Sequence, residues 1–307
     1  DRRVIDLPWL FQKILVNLII VPFRAPKSTK LYQRVWTEQG SPLLFHSENL
    51  QQKLQAALQG RADVFLAMRY QNPSIEKKLN EIQQGGYDRL VVLPLFPQYA
   101  SSTTGTAVQA IFQQIQKLNV IPNVQVISQF YNHVAFIDAF AQKILSFGPE
   151  SYDHVIFSYH GLPNRHLDNV HPQVESAKCT CERSFPSHGH LCYKATCYQT
   201  TRLLVEKLGL EEGRFTTSFQ SRLSKNWMRP FTDETLEKLA ADGAKHVLIV
   251  APSFVADCLE TIVELGYEYK ELFLEKGGEE LTLVPSLNSD DVWVQSLVQI
   301  VSDSSFI

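Results

Sequence analysis

Val155-Ile-Phe-Ser-Tyr-His160-Gly-Leu-Pro163 is the stretch on which the reading of the fold turns. Strand-forming residues from Val155 to Tyr159 run into His160, Gly161 and Pro163. That is the pattern of a buried parallel strand stopped at its carboxyl end. In open α/β sheets, ligands sit just beyond the carboxyl ends of the strands. Histidine is the side chain whose ordinary pKa lets it take or give a proton near neutral pH. His160 therefore reads either as a proton acceptor facing a ligand or as a histidine that only hydrogen-bonds a loop.

The segments before this stretch alternate between helix and strand. The pattern predicts helices over 49–60, 74–84, 106–118 and 134–146, and strands over 61–68, 89–94 and 124–128. Asn72-Pro73 marks a turn and Gly85-Gly86 a helix stop. The polar run Phe96-Pro-Gln-Tyr-Ala-Ser-Ser-Thr-Thr-Gly105 opens the third helix. Such alternation predicts a parallel sheet wrapped in helices. The second half then repeats the first. Lys78–Phe96 and Leu236–Phe254 each run helix, glycine, buried strand and Pro-x-Phe, so that Pro94 and Pro252 correspond. Gln125–His133 and Thr282–Asp290 correspond more loosely. The expected fold class is α/β, with two similar Rossmann-like, doubly wound domains over 1–150 and 151–307. They face across a cleft between strand ends, a usual place for a ligand.

After His160, residues 164–200 read as a loop. This segment carries Cys179, Cys181, Cys192 and Cys197, together with His188 and His190, in an insert placed at about 176–198. The cysteine spacing is C-x-C-x10-C-x4-C. Four thiolates so close together point to a bound centre. They can hold a [2Fe–2S] cluster or a structural zinc. Cys179 and Cys181 are one residue apart, tighter than the usual zinc pairing, which favours the cluster. Cys258 stands away from the other four. Clustered cysteines in a long chain suit a reducing compartment better than a disulfide framework.

Further on, strands are expected near 215–219, ending in Gln220-Ser221-Arg222, and at 247–251, leading to Pro252. Asp257, Glu260 and Glu264 follow at i, i+3 and i+7, on one face of an α-helix to within about 60°. Solvated helix faces often carry such acids. This face, however, begins directly after a buried strand in the half that carries His160. Carboxylates aimed at a cleft suit a divalent cation, and a proton acceptor opposite them suggests chemistry in which protons leave and a metal arrives.

Composition narrows the classes. Of 307 residues, 44% are apolar and 20% charged, as in ordinary soluble proteins. A net charge of −3 gives no sign of a nucleic-acid partner. No apolar run reaches the roughly 18 residues that span a bilayer. The opening Asp1-Arg2-Arg3 has no signal-peptide character, so a cytoplasmic location is expected. Residues 7–23 are apolar with a helical rhythm through Leu7, Leu10, Phe11, Ile14, Leu15, Leu18 and Ile19, while Trp9, Val16 and Ile20 lie off the stripe. They read as a core helix, or as a lip touching membrane or a greasy ligand.

Taken together, Trp36-Thr-Glu-Gln-Gly-Ser-Pro42, Met68-Arg-Tyr70, Phe96–Gly105, Ser158-Tyr-His-Gly-Leu-Pro163, Phe219-Gln-Ser221 and Asp257-Cys-Leu-Glu-Thr261 resemble the ferrochelatases over nearly the whole chain. These enzymes insert ferrous iron into a porphyrin in the last steps of haem synthesis. The resemblance implies two Rossmann-like domains with the porphyrin between them. His160 matches the family's essential histidine, Glu260 its essential glutamate, and Glu264 the neighbour of that glutamate. Arg69, Tyr70, Tyr99, Trp227 and Asp257 match positions near the porphyrin or along the metal route. The implied iron contacts are His160 and Glu260. Three departures stand out. Family members usually begin with a strand and a Leu-Gly-Thr-Pro-like loop, and this chain starts after it. Animal enzymes have histidine where Cys258 stands. They also hold a [2Fe–2S] cluster through C-terminal cysteines, whereas some bacterial members resemble this chain in carrying four in an internal insert.

On this reading the partners are a porphyrin and ferrous iron, with peripheral membrane contact through 7–23, in a monomer or homodimer. A function from another class is a tetrapyrrole carrier or an iron–sulfur redox sensor on a chelatase scaffold. The pairing of His160 with Glu260 separates them, because a carrier has no need of a carboxylate ladder.

Overall fold

A computed structural model describes residues 3–4, 9–14, 16–17, 21–22, 25–171 and 175–304. Among them, two sheets organise the chain. The first pairs β1 (Arg89–Val92) with β2 (Asn123–Val126). The second has the order β4 (Phe215–Gln220), β3 (His154–His160), β5 (His246–Val250), β6 (Glu280–Leu283). Every ladder in them is parallel. The helices are α1 (Trp9–Ile14), α2 (Ala25–Val35), α3 (Pro42–Ala57), α4 (Ile75–Gly85), α5 (Thr106–Ile115), α6 (Val134–Leu145), α7 (Asn164–Asp168), α8 (Tyr193–Leu208), α9 (Thr232–Ala241), α10 (Tyr269–Glu275) and α11 (Asp291–Ser304). The fold class is α/β, as the alternation predicts.

β3 is the centre of the larger sheet. Residues 154 to 159 are buried, and only His160 at the carboxyl end is half-exposed. A strand covered on both faces needs apolar residues on both, which explains the unbroken run Val155-Ile-Phe. The internal repeat appears as matched ladders. Arg89 pairs with Asn123, and His246 with Glu280, the same offset of 34 residues. After each of Pro94 and Pro252 the chain winds as a π-helix, at Ser101–Gly105 and at Glu260–Glu268.

Apolar packing joins the two halves. Trp293 of α11 is fully buried against Phe130 and Phe136, in a core that also takes in Tyr159, Phe219 and Leu50. Burying an aromatic side chain of this size stabilises the fold by about 2–3 kcal/mol. At the rim of this core, Lys53 pairs with Asp291 and Lys143 with Asp290.

Four expectations need correction. Among the described residues, 61–68 belong to no ladder: Arg61 is in a turn, and Met68 makes an isolated bridge to Ser74. Their backbone groups are taken instead by side chains of α3. Gln51 donates to the Val64 carbonyl (2.7 Å), Gln55 donates to the Ala62 carbonyl (3.2 Å), and Gln55 accepts from the Val64 N–H (2.7 Å). Second, α3 starts at Pro42 rather than 49, because Ser41 is extended and proline is preset for the first helical turn. Third, the segment 164–200 is not all loop, since α7 and the first two turns of α8 fall in it. Fourth, the acidic helix is π-wound and begins after Asp257.

Of the apolar stripe in 7–23, Leu7, Leu15, Leu18 and Ile19 lie outside the described residues, as does Ile20. Within it, Phe11, Ile14 and Val21 expose large apolar side chains. No described helix is long and apolar enough to cross a membrane.

Candidate active site

β3 delivers His160 to the carboxyl edge of the sheet, and four neighbours hold it. Its backbone N–H faces the Ser253 hydroxyl (3.4 Å), and its carbonyl accepts from the Tyr193 hydroxyl (3.0 Å). The ring lies 6.4 Å from the rings of both Trp227 and Phe254. Nδ1 is 2.7 Å from the Gly161 carbonyl. A carbonyl can only accept, so Nδ1 carries the hydrogen, and in the neutral ring Nε2 then presents its lone pair. A side chain held in that tautomer is a proton acceptor. Gly161 is required by close approach, because a Cβ there would sit 2.9 Å from the Gln220 carbonyl oxygen.

Gln220 connects His160 to the acids. It pairs with His160 in the β3–β4 register, and its carbonyl accepts from the Gly161 N–H (2.8 Å). Its side chain takes the Ser158 hydroxyl (2.8 Å) and donates to the Glu260 carbonyl (3.2 Å) and to the Glu264 carboxylate (3.3 Å). Glu264 also accepts from the Ser221 N–H (2.7 Å), the Ser221 hydroxyl (2.5 Å) and the Tyr269 hydroxyl (3.0 Å). Burial first, and the nearby Glu264 charge second, push the Tyr269 phenol up, so it stays a donor.

The Glu260 side chain is half-buried and meets the Cys258 thiol, whose pKa burial and then the Glu260 charge raise. Tyr32 of α2, from the other half of the chain, also feels it: burial and then Glu260 raise its phenol. In a π-helix, with its i→i+5 bonding, residues four apart stand nearly above one another. Glu260 and Glu264 therefore share a line.

Asp257 is not on that line. It is 8% exposed and turned inward. It accepts from the Thr261 hydroxyl (3.0 Å), the Ser286 N–H (3.1 Å) and the Asn288 amide (2.7 Å). The expected common face of three acids is thus a pair, with Asp257 fastening the start of the segment to the loop after β6.

Arg69 donates to the Thr106 carbonyl (3.1 Å) and hydroxyl (2.8 Å), at the start of α5, and lies 4.5 Å over the Tyr70 ring, which is exposed. The Tyr99 hydroxyl lies over Gly105, where a Cβ would come within 3.0 Å of it. Trp227 bridges to Pro163, beside His160. An open hollow at the other end of the sheet, lined by His154, Phe215 and Lys238, carries none of these residues.

The four cysteines of the insert pack into the main core, three of them within it and Cys179 against it. Cys181, Cys192 and Cys197 are fully buried, and Cys179 is partly so. Cys179 and Cys192 each hydrogen-bond Cys181. Cys192 is the N-cap of α8. A hydrogen bond from the Cys181 thiol holds the Cys192 pKa down against burial, with help from the N–H groups of Ala195 and Lys194. Burial pushes the Cys197 thiol well up. Two histidines complete the pocket: His171 Nε2 lies 2.9 Å from the Cys192 sulfur, and His188 Nε2 lies 3.5 Å from the Cys179 sulfur. The ligand atoms of His171, Cys179 and His188 lie within 4.8 Å of one another. Soft sulfur donors with imidazoles beside them fit a thiophilic metal or cluster.

The sequence reading did not assign Gln220, Ser221, Tyr269, Tyr32, Ser253 and Tyr193. Gln220 and Ser221 could have been found, because they sit at the carboxyl end of a predicted strand beside His160. His171, eight residues before Cys179, gave no such signal.

Comparison with known proteins identifies the family. A family profile described as Ferrochelatase matches residues 1–305. A ferrochelatase of Legionella pneumophila strain Lens is 42% identical over 309 residues, covering 99% of this chain and 90% of that protein. One from Pseudomonas fluorescens is 39% identical, covering 97% and 88%. Among solved structures, SirB from Bacillus subtilis with Fe3+ superposes with a TM-score of 0.59 at 12% identity, over 87% of this chain and 92% of that one. That likeness shows the chelatase fold. Profile match and whole-length identity together establish that the chain belongs to the ferrochelatase family.

Proposed function

We propose that this ferrochelatase inserts ferrous iron into protoporphyrin IX to make haem, with His160 accepting the pyrrole protons. The observation that carries the reading is the 2.7 Å contact of His160 Nδ1 with the Gly161 carbonyl, which in the neutral ring leaves the Nε2 lone pair to accept.

A porphyrin's two inner N–H protons must leave before iron can sit in the ring plane. The flat macrocycle hides its nitrogen lone pairs, so binding it bent exposes them, with the strain offset by contacts around the ring. Arg69, Tyr70, Tyr99 and Trp227 make those contacts on this reading. Glu264 is fixed by Ser221 and Tyr269, so Glu260 is the carboxylate that hands over the ion or takes protons away. Asp257 serves by setting where the acid segment begins. His160 and Glu260 are the iron contacts.

The two domains are 1–150 and 151–307. Cys179, Cys181, Cys192 and Cys197 would hold a [2Fe–2S] cluster, which would supply a one-electron centre and a cross-link between the insert and α8. The exposed Phe11, Ile14 and Val21 support contact with a membrane surface, where an insoluble porphyrin is delivered and haem withdrawn.

An anaerobic assay with ferrous iron and each porphyrin in turn tests the reading. Many turnovers with protoporphyrin are expected. Turnover only with its tetracarboxylate precursor would replace the substrate, and stoichiometric binding without turnover would favour a carrier.

A further inference from the structure

We propose that His171, Cys179 and His188, with Cys192 as the fourth donor, form a mixed nitrogen–sulfur site for a single zinc-type ion. The site shares Cys179 and Cys192 with the four-cysteine cluster described above, so the two occupants exclude each other. It does not depend on the reading of His160.

Three short structures bring the donors together. His171 follows α7 and is buried, with its N–H turned to the Asp168 carbonyl (3.4 Å). The Asp168 carboxylate accepts from the Ser176 N–H (2.9 Å), at the start of the helical turn Ser176–Lys178 that ends on Cys179. His188 opens the next turn, Gly189–Leu191, which ends on Cys192, the N-cap of α8. Phe185, just before that turn, stacks on Tyr131 at 6.1 Å and so fixes it to the body of the protein.

The distances favour a metal over separate hydrogen bonds. His188 Nε2 lies 3.5 Å from the Cys179 sulfur, and His171 Nε2 lies 2.9 Å from the Cys192 sulfur. The two imidazole rings are 4.8 Å apart. The donor atoms of His171, Cys179 and His188 all lie within 4.8 Å of one another, and among the described residues this is the one such convergence of His, Cys, Asp and Glu. Around a tetrahedral zinc, with bonds of about 2.0–2.1 Å to nitrogen and about 2.3 Å to sulfur, neighbouring donors stand about 3.6 Å apart. The Cys179–His188 pair already has that spacing. The His171–Cys192 pair needs to open by less than about 1 Å. A hydrogen bond accounts for each contact singly, but gives no reason for two imidazoles to converge with one sulfur.

The donor set selects the ion. Two thiolates and two neutral imidazoles around a divalent cation sum to zero charge, which suits a site where His171 and Cys192 are buried. On binding, the two thiols give up their protons to solvent. Two sulfurs and two nitrogens in a tetrahedron are the donors of zinc. Four protein ligands leave no open position, so the ion is structural: it ties the segment after α7 to the start of α8. The cluster would draw on Cys181 and Cys197 in place of the imidazoles.

The test is X-ray absorption at the zinc edge of the full-length protein, freed of bound metal by a chelator under reducing conditions and loaded with one equivalent of zinc. Two nitrogen neighbours at about 2.0–2.1 Å and two sulfur neighbours at about 2.3 Å are expected. Four sulfurs without nitrogen, or a shell without sulfur, overturns the proposal. His188→Ala should weaken zinc binding by about a hundredfold or more. His190→Ala is the comparison, because that residue is exposed and engages Gln129 only through its carbonyl (3.0 Å); it should keep the wild-type affinity. Equal affinity in the wild type and His188→Ala overturns the proposal, and if that variant does not fold, the wild-type absorption spectrum decides. Iron and sulfide analysis before chelation tests the cluster alone, and its failure leaves the zinc site standing. A chain that carries a full cluster together with one zinc in this shell overturns the shared site.

Discussion

Ser221 holds Glu264 by two bonds at once, its backbone N–H at 2.7 Å and its hydroxyl at 2.5 Å, from a left-handed backbone with φ 63°. A non-glycine residue in that region carries a cost of about 1–3 kcal/mol. The strain is sustained where β4 meets the acid segment, and it aims both donors at one carboxylate.

That arrangement separates the two acids experimentally. In Glu264→Gln an NH2 group replaces one oxygen and faces donors, which costs about 1–3 kcal/mol of stability as well as activity. Glu260→Gln meets no such set of donors and should keep its melting temperature while losing most turnover. Thermal melts beside steady-state rates check this. Full rates in both variants would make the acids a solvated face.

Gly161→Ala forces a methyl group against the Gln220 carbonyl at 2.9 Å. The β3–β4 edge must spread, at about 1–3 kcal/mol. A lowered melting temperature and a loss of activity larger than that of Gly209→Ala are expected. Gly209 is the C-cap of α8, with open space at its Cβ, so its substitution carries only the strain of φ 64°.

His154, at the start of β3, predicts a pH effect. Burial first, and the Arg214 charge second, lower its pKa from 6.5 to about 4. The folded chain keeps it neutral where the unfolded chain takes up a proton. Stability is therefore fully present above about pH 6.5 and declines as pH falls towards about 4. Urea midpoints at pH 7.5 and pH 5 should differ less in His154→Gln than in the wild type. Equal differences would remove His154 from the account.

The cysteine pocket predicts colour. Iron and acid-labile sulfide should each be near two per chain, as a [2Fe–2S] centre requires. Cys192→Ser should bleach the protein and lower its stability, because Cys192 is fully buried in the main core. One zinc and no sulfide on metal analysis would overturn the cluster while leaving the chelatase assignment intact.

Much of this was legible in the sequence, for physical reasons. The apolar run into His160-Gly161 marks a strand buried on both faces, and Pro94 and Pro252 mark a repeat whose ladders share one offset. Periodicity failed where side chains replaced backbone partners, as Gln51 and Gln55 do for Val64. It also failed where a helical period was carried back to Asp257, which precedes the π-wound segment and so does not share its face. The loop reading of 164–200 missed that Cys197 lies on α8 and fills the core. The bond from Tyr193 to the His160 carbonyl is tertiary, between residues 33 apart, and no local pattern announces it.

The claim at the centre is that His160 accepts the pyrrole protons. Anaerobic ferrous-iron insertion by His160→Ala, measured beside porphyrin binding by fluorescence, tests it most directly. The account predicts porphyrin affinity close to wild type with turnover reduced by about a thousandfold or more, the upper range for loss of a general base. Near-normal turnover in that variant would contradict it.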